Sequence, residues 1–299
     1  TNITSDHLDY HGSLANYRQV KRRMLDALAP DGLAIINSDD PICRSWLADI
    51  ERPTLTIGMR SSADVSARLL EAHRSEQSFV ITAGSESIAV RTAMIGEHHI
   101  YNCLIATAAG LSMNIDLATI ARGLENITAM PGRLERIECG QPFGVFVDYA
   151  HTPDALQRSL STLRQVTEGR LICVYGAGGD RDRKKRPEMG RVVEQFTDAG
   201  IITNDNPRRE PPEQIIEEIL AGYFRPEQAI IEPDRASAIG AALNAAEPGD
   251  CVLIAGKGHE TIQEIGEHRI DFDDRDVARG WLYAAESVDA MIGQSRRRN

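Results

Sequence analysis

The chain has 299 residues, of which 42% are hydrophobic and 26% charged, as expected for a globular protein with room for two domains. Its formal net charge of −11 argues against a nucleic-acid-binding surface, because binding to a phosphate backbone needs a basic face. The sequence shows neither a charged-then-apolar leader nor an apolar run as long as a membrane span. We therefore expect a chain that is neither secreted nor inserted in a membrane and that has small-molecule partners.

The five cysteines are odd in number, widely spaced and without a C-x-x-C pair. This pattern favours neither a disulfide framework nor a zinc ribbon and is typical of the reducing cytoplasm. The five are Cys43, Cys103, Cys139, Cys173 and Cys251.

The first part of the chain predicts helices and strands at uneven spacing. Apolar residues at helical spacing predict a helix over residues 13–28, and a short strand follows at GLAIIN. Further strands are predicted at TLTIG, SFVITA and SIAVR, and then helices at HHIYNCLIATAAGL and LATIARGLENI. The pattern is broken at Pro131–Gly132, so we expect one domain over residues 1–131 and a second over 132–299.

The second part has a regular alternation that predicts a doubly wound parallel α/β sheet. Its strands are VFVDY, LICVYG, GIITN, AIIE and CVLIAG, separated by helices such as PEQIIEEILAGYF. Each strand is followed by a polar loop: DYAHTPD, GAGGDRD, DNPRRE, PDR and GKGHE. Because ligands bind at the carboxyl ends of such strands, we expect a binding site there, although turn chemistry would explain any single loop.

The loop GAGGDRDRKKRPEMG has the composition of an anion site. Gly176, Gly178 and Gly179 permit close backbone approach, and a basic run follows them: Arg181, Arg183, Lys184, Lys185 and Arg186. The loop lacks the dinucleotide fingerprint, and both it and AGKGHE lack the Walker A spacing. A solvated basic helix start after a tight turn is an equally good interpretation of this stretch alone.

Eight blocks in the same order resemble the Mur ligase family and, within it, the MurE ligases that complete the UDP-N-acetylmuramoyl-tripeptide. They are TNITSDHLDYHG, Tyr17 to Lys21, GEHHIYN, PGRLE, DYAHTPDAL, GGDRDRKKRPEM, DNPRRE and AGKGHE. The resemblance implies a peptidoglycan-synthesis enzyme that adds the third peptide residue to UDP-MurNAc-L-Ala-D-Glu. ATP would activate a carboxylate of that substrate as an acyl phosphate, which the incoming amine would attack.

In this family the TNITSDHLDYHG block lies inside the central ATPase domain, after the phosphate loop. The resemblance therefore implies that residues 1–131 are the latter part of that domain and that residues 132–299 are a complete amino-acid-binding domain with a Rossmann-like sheet. Since the phosphate loop stabilises the transferred phosphoryl group, we expect the isolated chain to be inactive.

Two residues match the family's magnesium and catalytic positions. His7 matches a histidine that binds Mg²⁺ near the ATP phosphates, and Lys21 matches a lysine that the family carbamylates to support a second magnesium. Without the resemblance, Lys21 is better explained as a solvated lysine among neighbouring arginines.

The resemblance also implies residues that bind ATP. Asn102 matches an adenine-contacting asparagine, and His99 stands where many members have another asparagine. Arg133 matches an ATP-contacting arginine and Asp148 a ribose-contacting aspartate, with His151 close by. The alternatives are an ion pair between Arg133 and Glu135, and a helix-start signal at Asp148 that Asp154 could supply instead.

For the incoming amino acid, the family pattern indicates a set of residues suited to meso-diaminopimelate, which has a carboxylate at each end: Arg181, Asp205, Asn206, Pro207, Arg208, Gly256 and Glu260. L-Lysine lacks the distal carboxylate. With lysine bound, we expect Arg208 to be a desolvated charge without a partner, which disfavours lysine.

Two alternative functions stay open on the sequence. One is a related ligase with another acceptor, adding lysine or polyglutamate, which the DNPR loop and Arg181 disfavour. The other is a non-catalytic fragment that only binds ligands. Amino-acid binding would discriminate between these hypotheses, and neither involves nucleic acid or membrane.

Overall fold

The computed structural model describes residues 1–4 and 8–284, and only the backbone of Leu8 and Asp9. The chain divides into two compact units, Thr1–Thr128 and Ala129–Asn299. This division falls near the Pro131–Gly132 break at which the sequence predicts a boundary. Within the described residues, no helix is both long enough and apolar enough to cross a membrane.

The first unit is a five-stranded sheet with five helices among its described residues. The helices are α1 Leu8–His11, α2 Leu14–Asp26, α3 Pro41–Trp46, α4 Glu97–Ser112 and α5 Leu117–Glu125. The strands, in their spatial order, are β1 Ala34–Asn37, β2 Thr54–Gly58, β3 Val65–Ala72, β4 Gln77–Ala83 and β5 Glu86–Thr92. β1, β2 and β3 are parallel, whereas β3, β4 and β5 form an antiparallel meander.

The core of the first unit forms where α4 and α5 cover this sheet. Ile100 and Leu104 of α4 are fully buried in one cluster with Phe79 and Ile81 of β4. A second cluster packs α2 and α3 around β1. The sequence analysis missed β3, because its apolar alternation fades after the first three residues and a bulge interrupts the pairing near Glu71.

The second unit contains the predicted doubly wound sheet. Its strands are β6 Glu135–Arg136, β7 Gly144–Asp148, β8 Leu171–Tyr175, β9 Ala199–Ile202, β10 Ile230–Ile231, β11 Cys251–Ala255 and the hairpin β12 Ile262–Ile265 with β13 His268–Asp271. Its helices are α6 Pro153–Val166, α7 Lys185–Phe196, α8 Pro212–Leu220, α9 Arg235–Ala245 and residues 274–284. The six-stranded sheet has the order β10-β9-β8-β11-β7-β6, and only its edge strand β6 is antiparallel.

The central strands of this sheet are buried on both faces, which explains why their sequences are almost continuous apolar runs. Val145 and Val147 pack with α9 and with the helix over residues 274–284. The consecutive helices α6, α7 and α8 cover the opposite face. Thr152, and not Asp148, caps α6 through its side chain, and Asp154 lies in the first turn of α6, where an acid favours a helix start.

Candidate functional site

The candidate site lies at the edge of the second unit's sheet where the parallel strands end. β7, β8, β9 and β11 run in the same direction, so the loops that follow them start at one edge. β8 and β11 are neighbours, but α7 follows β8 on one face and the helix over residues 274–284 follows β11 on the other. Segments that leave neighbouring strands towards opposite faces open a crevice, which is the usual ligand site of such sheets.

The loop after β9 packs directly on the glycine-rich loop after β8. The Gly179 N–H donates to the carbonyl oxygen of Asn206 at 2.8 Å. A Cβ atom on Gly179 would overlap the carbonyl oxygen of Pro207. Glycine is therefore required here by the close approach of two backbones, and the two loops form one continuous surface.

Asn206 and Glu260, from different loops, form a hydrogen-bonded pair. The Asn206 Nδ2 donates to Glu260 Oε2 at 2.8 Å. The buried Lys257 ammonium lies 3.0 Å from Asn206 Oδ1, 3.3 Å from the same Glu260 oxygen and 2.6 Å from the carbonyl oxygen of Ile262. Lys257 therefore offsets part of the Glu260 charge and fixes both partners. The sequence analysis compared the AGKGHE segment, which contains Lys257, only with a phosphate loop, although the i, i+3 spacing of Lys257 to Glu260 was a usable signal.

Asp205 and Gly256 are brought together at the ends of β9 and β11. Gly256 has φ +114°, and a Cβ there would stand 2.5 Å from Asp205 Oδ2. The side chain of Gln263 donates to the Asp205 carbonyl oxygen at 2.9 Å. The absence of a side chain at position 256 thus gives the buried Asp205 carboxylate its space.

The buried Arg235 side chain fixes the chain at the ends of β9 and β11. The sequence analysis did not single it out. Its guanidinium and the Asp274 carboxylate are both fully buried and form two hydrogen bonds of 2.7 and 2.8 Å. The same guanidinium donates to the carbonyl oxygens of Asn204 and Ala255, the residues just before the two site loops. The only sequence signal was its place in the PDR loop after β10.

Arg208 lies at the centre of the loop surface and is already paired. Its Nε donates to Glu264 Oε2 at 2.9 Å, and its Nη1 donates to the carbonyl oxygen of Gly179 at 2.8 Å. Its backbone has φ +54°, a left-handed conformation that is uncommon for arginine. The sequence analysis expected Arg208 to have no charged partner when lysine is bound. The structure shows that Glu264 is such a partner.

Arg181 is exposed and lies beside Arg208. A Cβ on Gly178 would stand 3.0 Å from Arg208 Nη1 and 3.6 Å from Arg181 Cγ, so the two arginines flank one glycine. The structure therefore brings the predicted amino-acid-binding residues of three loops to one surface. Their roles in binding stay a prediction.

The rest of the basic run does not form an open anion surface. Arg186 is fully buried and donates to Glu210 and Glu218, at distances between 2.7 and 2.9 Å. Arg183 pairs with Glu218 as well. The pKa of Glu210 is lowered, mainly by its hydrogen bond from Arg186. Arg186 anchors α7 to α8, and the expectation that it supplies charge to an anion is wrong.

Asp148 is buried at the end of β7, with its carboxylate oxygens engaged by the protein. They accept hydrogen bonds from Leu134 N at 2.7 Å, Ala150 N at 3.0 Å and the Ser159 hydroxyl at 2.9 Å. Burial raises the pKa of Asp148 against the effect of these donors. Asp148 thus organises the loop after β7, and contact with a ribose stays a prediction.

Tyr149 gathers several of the predicted nucleotide-binding side chains. The Arg133 guanidinium lies 4.8 Å from the centre of its ring, and the His151 and His259 rings lie 4.6 and 5.1 Å away. Glu135, which the sequence analysis considered as an ion-pair partner of Arg133, contacts Arg275 and Arg279. This cluster presents cationic and aromatic groups, a combination suited to a nucleotide.

The site residues predicted in the first unit differ in their exposure to solvent. Lys21 is exposed on α2, with its ammonium 5.3 Å from the centre of the Tyr17 ring. His99 is buried in the first turn of α4, whereas Asn102 is exposed one turn later. His7 lies outside the described residues. Within residues 1–4 and 8–284, no group of three or more His, Cys, Asp or Glu side chains forms a metal-binding cluster.

Two family models match successive parts of the chain. The Mur ligase middle domain matches residues 1–110, and the glutamate ligase domain of Mur ligases matches residues 132–258. The UDP-N-acetylmuramoyl-L-alanyl-D-glutamate--2,6-diaminopimelate ligase of Geobacillus thermodenitrificans is 42% identical over 286 residues, which cover 93% of this chain and 58% of that protein. Its counterpart from Fusobacterium nucleatum is 39% identical over 293 residues, which cover 97% and 59%.

Solved structures give the same result. A 2,6-diaminopimelate ligase structure with 33% identity covers 95% of this chain and 59% of its own, with a TM-score of 0.62. A pseudomurein peptide ligase from Methanothermus fervidus, with 19% identity, shares the fold at a TM-score of 0.70, covering 95% and 62%. The chain thus spans somewhat more than half the length of these relatives. On the two domain matches, the sequence identities and the shared fold, this chain belongs to the Mur ligase family.

Proposed function

We propose that this chain carries the amino-acid-binding part, and a portion of the ATP-binding part, of a ligase that joins meso-diaminopimelate to UDP-MurNAc-L-Ala-D-Glu. The observation that carries the proposal is the surface on which Arg181, Arg208, Asn206 and Glu260 meet at the carboxyl ends of β8, β9 and β11. The names of the diaminopimelate ligases among its relatives support the same acceptor.

The residues suit the distal end of this acceptor. In this proposal the Arg208 guanidinium binds the distal carboxylate, and Arg181 adds positive charge nearby. Glu260, held by Asn206 and Lys257, offers a carboxylate oxygen to the distal ammonium. An acceptor held by its distal carboxylate and distal ammonium presents its other amine in one direction, which lowers the entropic cost of attack on an activated carboxyl group.

For the nucleotide we propose ATP. A Thermotoga maritima MurF structure that shares the fold contains ADP, and a Mycobacterium tuberculosis folylpolyglutamate synthase structure contains ADP and AMPPCP. In this chain Arg133, Tyr149 and His151 offer cationic and aromatic contacts for a nucleotide, and Asn102 offers an exposed amide. ATP supplies the phosphoryl group that converts the carboxylate into an acyl phosphate.

For magnesium we propose His7 and a carbamate on Lys21 as ligands. Lys21 is exposed to solvent on α2, so CO₂ can reach its amine. A carbamate would turn this cation into a carboxylate, the type of ligand that Mg²⁺ prefers. His7 lies outside the described residues, so its part in the site is carried by the family resemblance alone.

The proposal is tested by calorimetric binding of meso-diaminopimelate and L-lysine to this chain and to its Arg208→Ala variant. We expect wild type to prefer diaminopimelate, and the variant to lose on the order of a hundredfold in its affinity, since removing one partner of a buried charge pair costs about 2–5 kcal/mol. Arg209→Ala is the matched control, because Arg209 is the exposed neighbouring arginine and pairs with Asp180. An unchanged ratio of the two affinities in Arg208→Ala would contradict the proposal.

A further inference from the structure

Glu264 contacts the arginine to which the proposed function assigns the distal carboxylate. Its Oε2 accepts from Arg208 Nε at 2.9 Å, and its Oε1 lies 2.9 Å from Arg269 Nη2 on β13. The backbones are joined as well, since Arg208 N donates to the Glu264 carbonyl oxygen at 3.0 Å and Glu264 N donates to Asn206 Oδ1 at 3.0 Å. The hairpin is thus fixed on the DNPR loop, with one carboxylate shared between two guanidinium groups.

This arrangement limits how Arg208 can bind a ligand. A guanidinium grips a carboxylate most strongly through two parallel N–H donors on one edge. The Nε edge of Arg208 is engaged by Glu264, and its Nη1 donates to Gly179. A second carboxylate at the Nε edge would meet the Glu264 charge at close range, which is repulsive. Glu264 must therefore move if a ligand carboxylate is to use that edge.

Arg269 gives Glu264 another partner. The Arg269 side chain is 73% exposed, whereas those of Arg208 and Glu264 are 22% and 26% exposed, so Arg269 has the freedom to follow the carboxylate. Burial would raise the pKa of Glu264, but Arg208 and Arg269 together hold it below its ordinary value. The carboxylate is therefore charged at neutral pH and can stay paired on Arg269 alone.

We propose that Glu264 is a specificity-determining residue, which pairs with both Arg208 and Arg269 in the free site and with Arg269 alone when an acceptor with a distal carboxylate binds. This inference rests on the proposed function. The exchange gives up one ion pair and so weakens the binding of diaminopimelate. L-Lysine leaves the Arg208–Glu264 pair intact, so Glu264 also reduces the discrimination against lysine.

The test is calorimetric binding of both amino acids to the whole chain and to its Glu264→Gln variant, which keeps the side-chain shape and removes the charge. We expect diaminopimelate to bind on the order of tenfold more tightly to Glu264→Gln, the size of a typical coupling between contacting charges, with lysine binding unchanged. Glu267→Gln, an equal charge change at an exposed position in the turn of the same hairpin, should change neither affinity. In an Arg208→Ala background, Glu264→Gln should have almost no effect.

A second variant keeps the test decisive if Glu264→Gln alters the fold. Arg269→Gln removes the alternative partner of Glu264 and should weaken diaminopimelate binding while leaving lysine binding unchanged. If wild type binds diaminopimelate and Glu264→Gln leaves that affinity unchanged or lowers it, this inference is overturned and the proposed function stands. If neither protein binds diaminopimelate, both are overturned, whereas binding by Glu264→Gln alone supports the inference.

Discussion

At the residue scale, Arg235 shows how a buried charge can position a site without lining it. Its four hydrogen bonds go to Asp274 and to the carbonyl oxygens that precede Asp205 and Gly256. A lysine could not make these contacts together, because a single ammonium lacks the planar set of donors. The side chain therefore determines where two site loops begin.

We predict that Arg235→Met destabilises the second unit by about 3–5 kcal/mol, since it leaves the Asp274 charge buried and uncompensated. Urea denaturation monitored by circular dichroism measures the loss. The double variant Arg235→Met/Asp274→Leu should recover most of it, because no buried charge remains. Equal destabilisation of the single and double variants would contradict this explanation.

Two neighbouring glycines separate a stability effect from a binding effect. A Cβ on Gly179 overlaps a backbone carbonyl, whereas the nearest atom to a Cβ on Gly178 is the end of the Arg208 side chain at 3.0 Å. We predict that Gly179→Ala lowers the free energy of unfolding by more than about 1 kcal/mol, the lower end of overpacking costs.

Gly178→Ala should leave stability nearly unchanged but weaken diaminopimelate binding by displacing Arg208. Urea midpoints and calorimetric affinities, measured on both variants, distinguish the two effects. The prediction fails if Gly178→Ala is the more destabilised of the two.

At the element scale, Asp39 joins three segments of the first unit. Its carboxylate accepts hydrogen bonds from the backbone N–H groups of Met59, Arg60 and Ser61, and from the Ser61 and Tyr101 hydroxyls, at 2.5–3.0 Å. Burial would raise the pKa of Asp39, but these donors hold it well below its ordinary value of 3.8. The loop after β1, the loop after β2 and helix α4 are thus tied at one point.

Because the folded pKa of Asp39 is depressed, its contribution to stability is fully present above the ordinary pKa of the unfolded chain and is lost as pH falls from there through the folded pKa. We predict that Asp39→Asn is less stable than wild type near neutral pH by about 1–3 kcal/mol, the cost of unsatisfied buried donors. The difference should shrink below about pH 4, where Asp39 takes up a proton in the unfolded chain while the folded carboxylate is still charged. Urea denaturation across this range measures it, and a constant difference would contradict the prediction.

The basic run that ends in the first turn of α7 illustrates why a run of charges in the sequence does not predict an anion-binding surface. A run of arginines and lysines is the same in sequence whether it faces solvent or other elements. The acids that neutralise Arg183 and Arg186 are Glu210 and Glu218, which lie 24 or more residues away along the chain. Only the packing of α7 against α8 shows which cations are engaged.

At the scale of the whole molecule, each unit has its own apolar core. We predict that Asp39→Asn increases amide hydrogen exchange in β1–β5 and leaves β7–β11 protected, while Arg235→Met has the opposite effect, since local stability follows local packing. Exchange measured by mass spectrometry locates each change. Equal loss of protection in both units for either variant would contradict the assignment of separate cores.

The sequence by itself determined the parallel sheet of the second unit and the edge of the sheet at which its polar loops meet. Strands buried on both faces must be apolar throughout, and polar loops that follow parallel strands must share one edge, so both features are recorded in local sequence. The family blocks also predict acceptor-binding residues, from Arg181 to Glu260, and their roles stay a prediction. These features depend on short segments and on their order.

Only the tertiary structure decided which charges are available at that edge. Arg186 is buried between Glu210 and Glu218, Arg208 is paired with Glu264, and the Asp148 carboxylate is engaged by backbone and hydroxyl donors. The hairpin β12–β13, which carries Glu264, was not predicted, because its four-residue strands are largely exposed and lack a strong apolar pattern. A side chain's partner depends on distances between segments remote in sequence, and composition and periodicity contain no information on those distances.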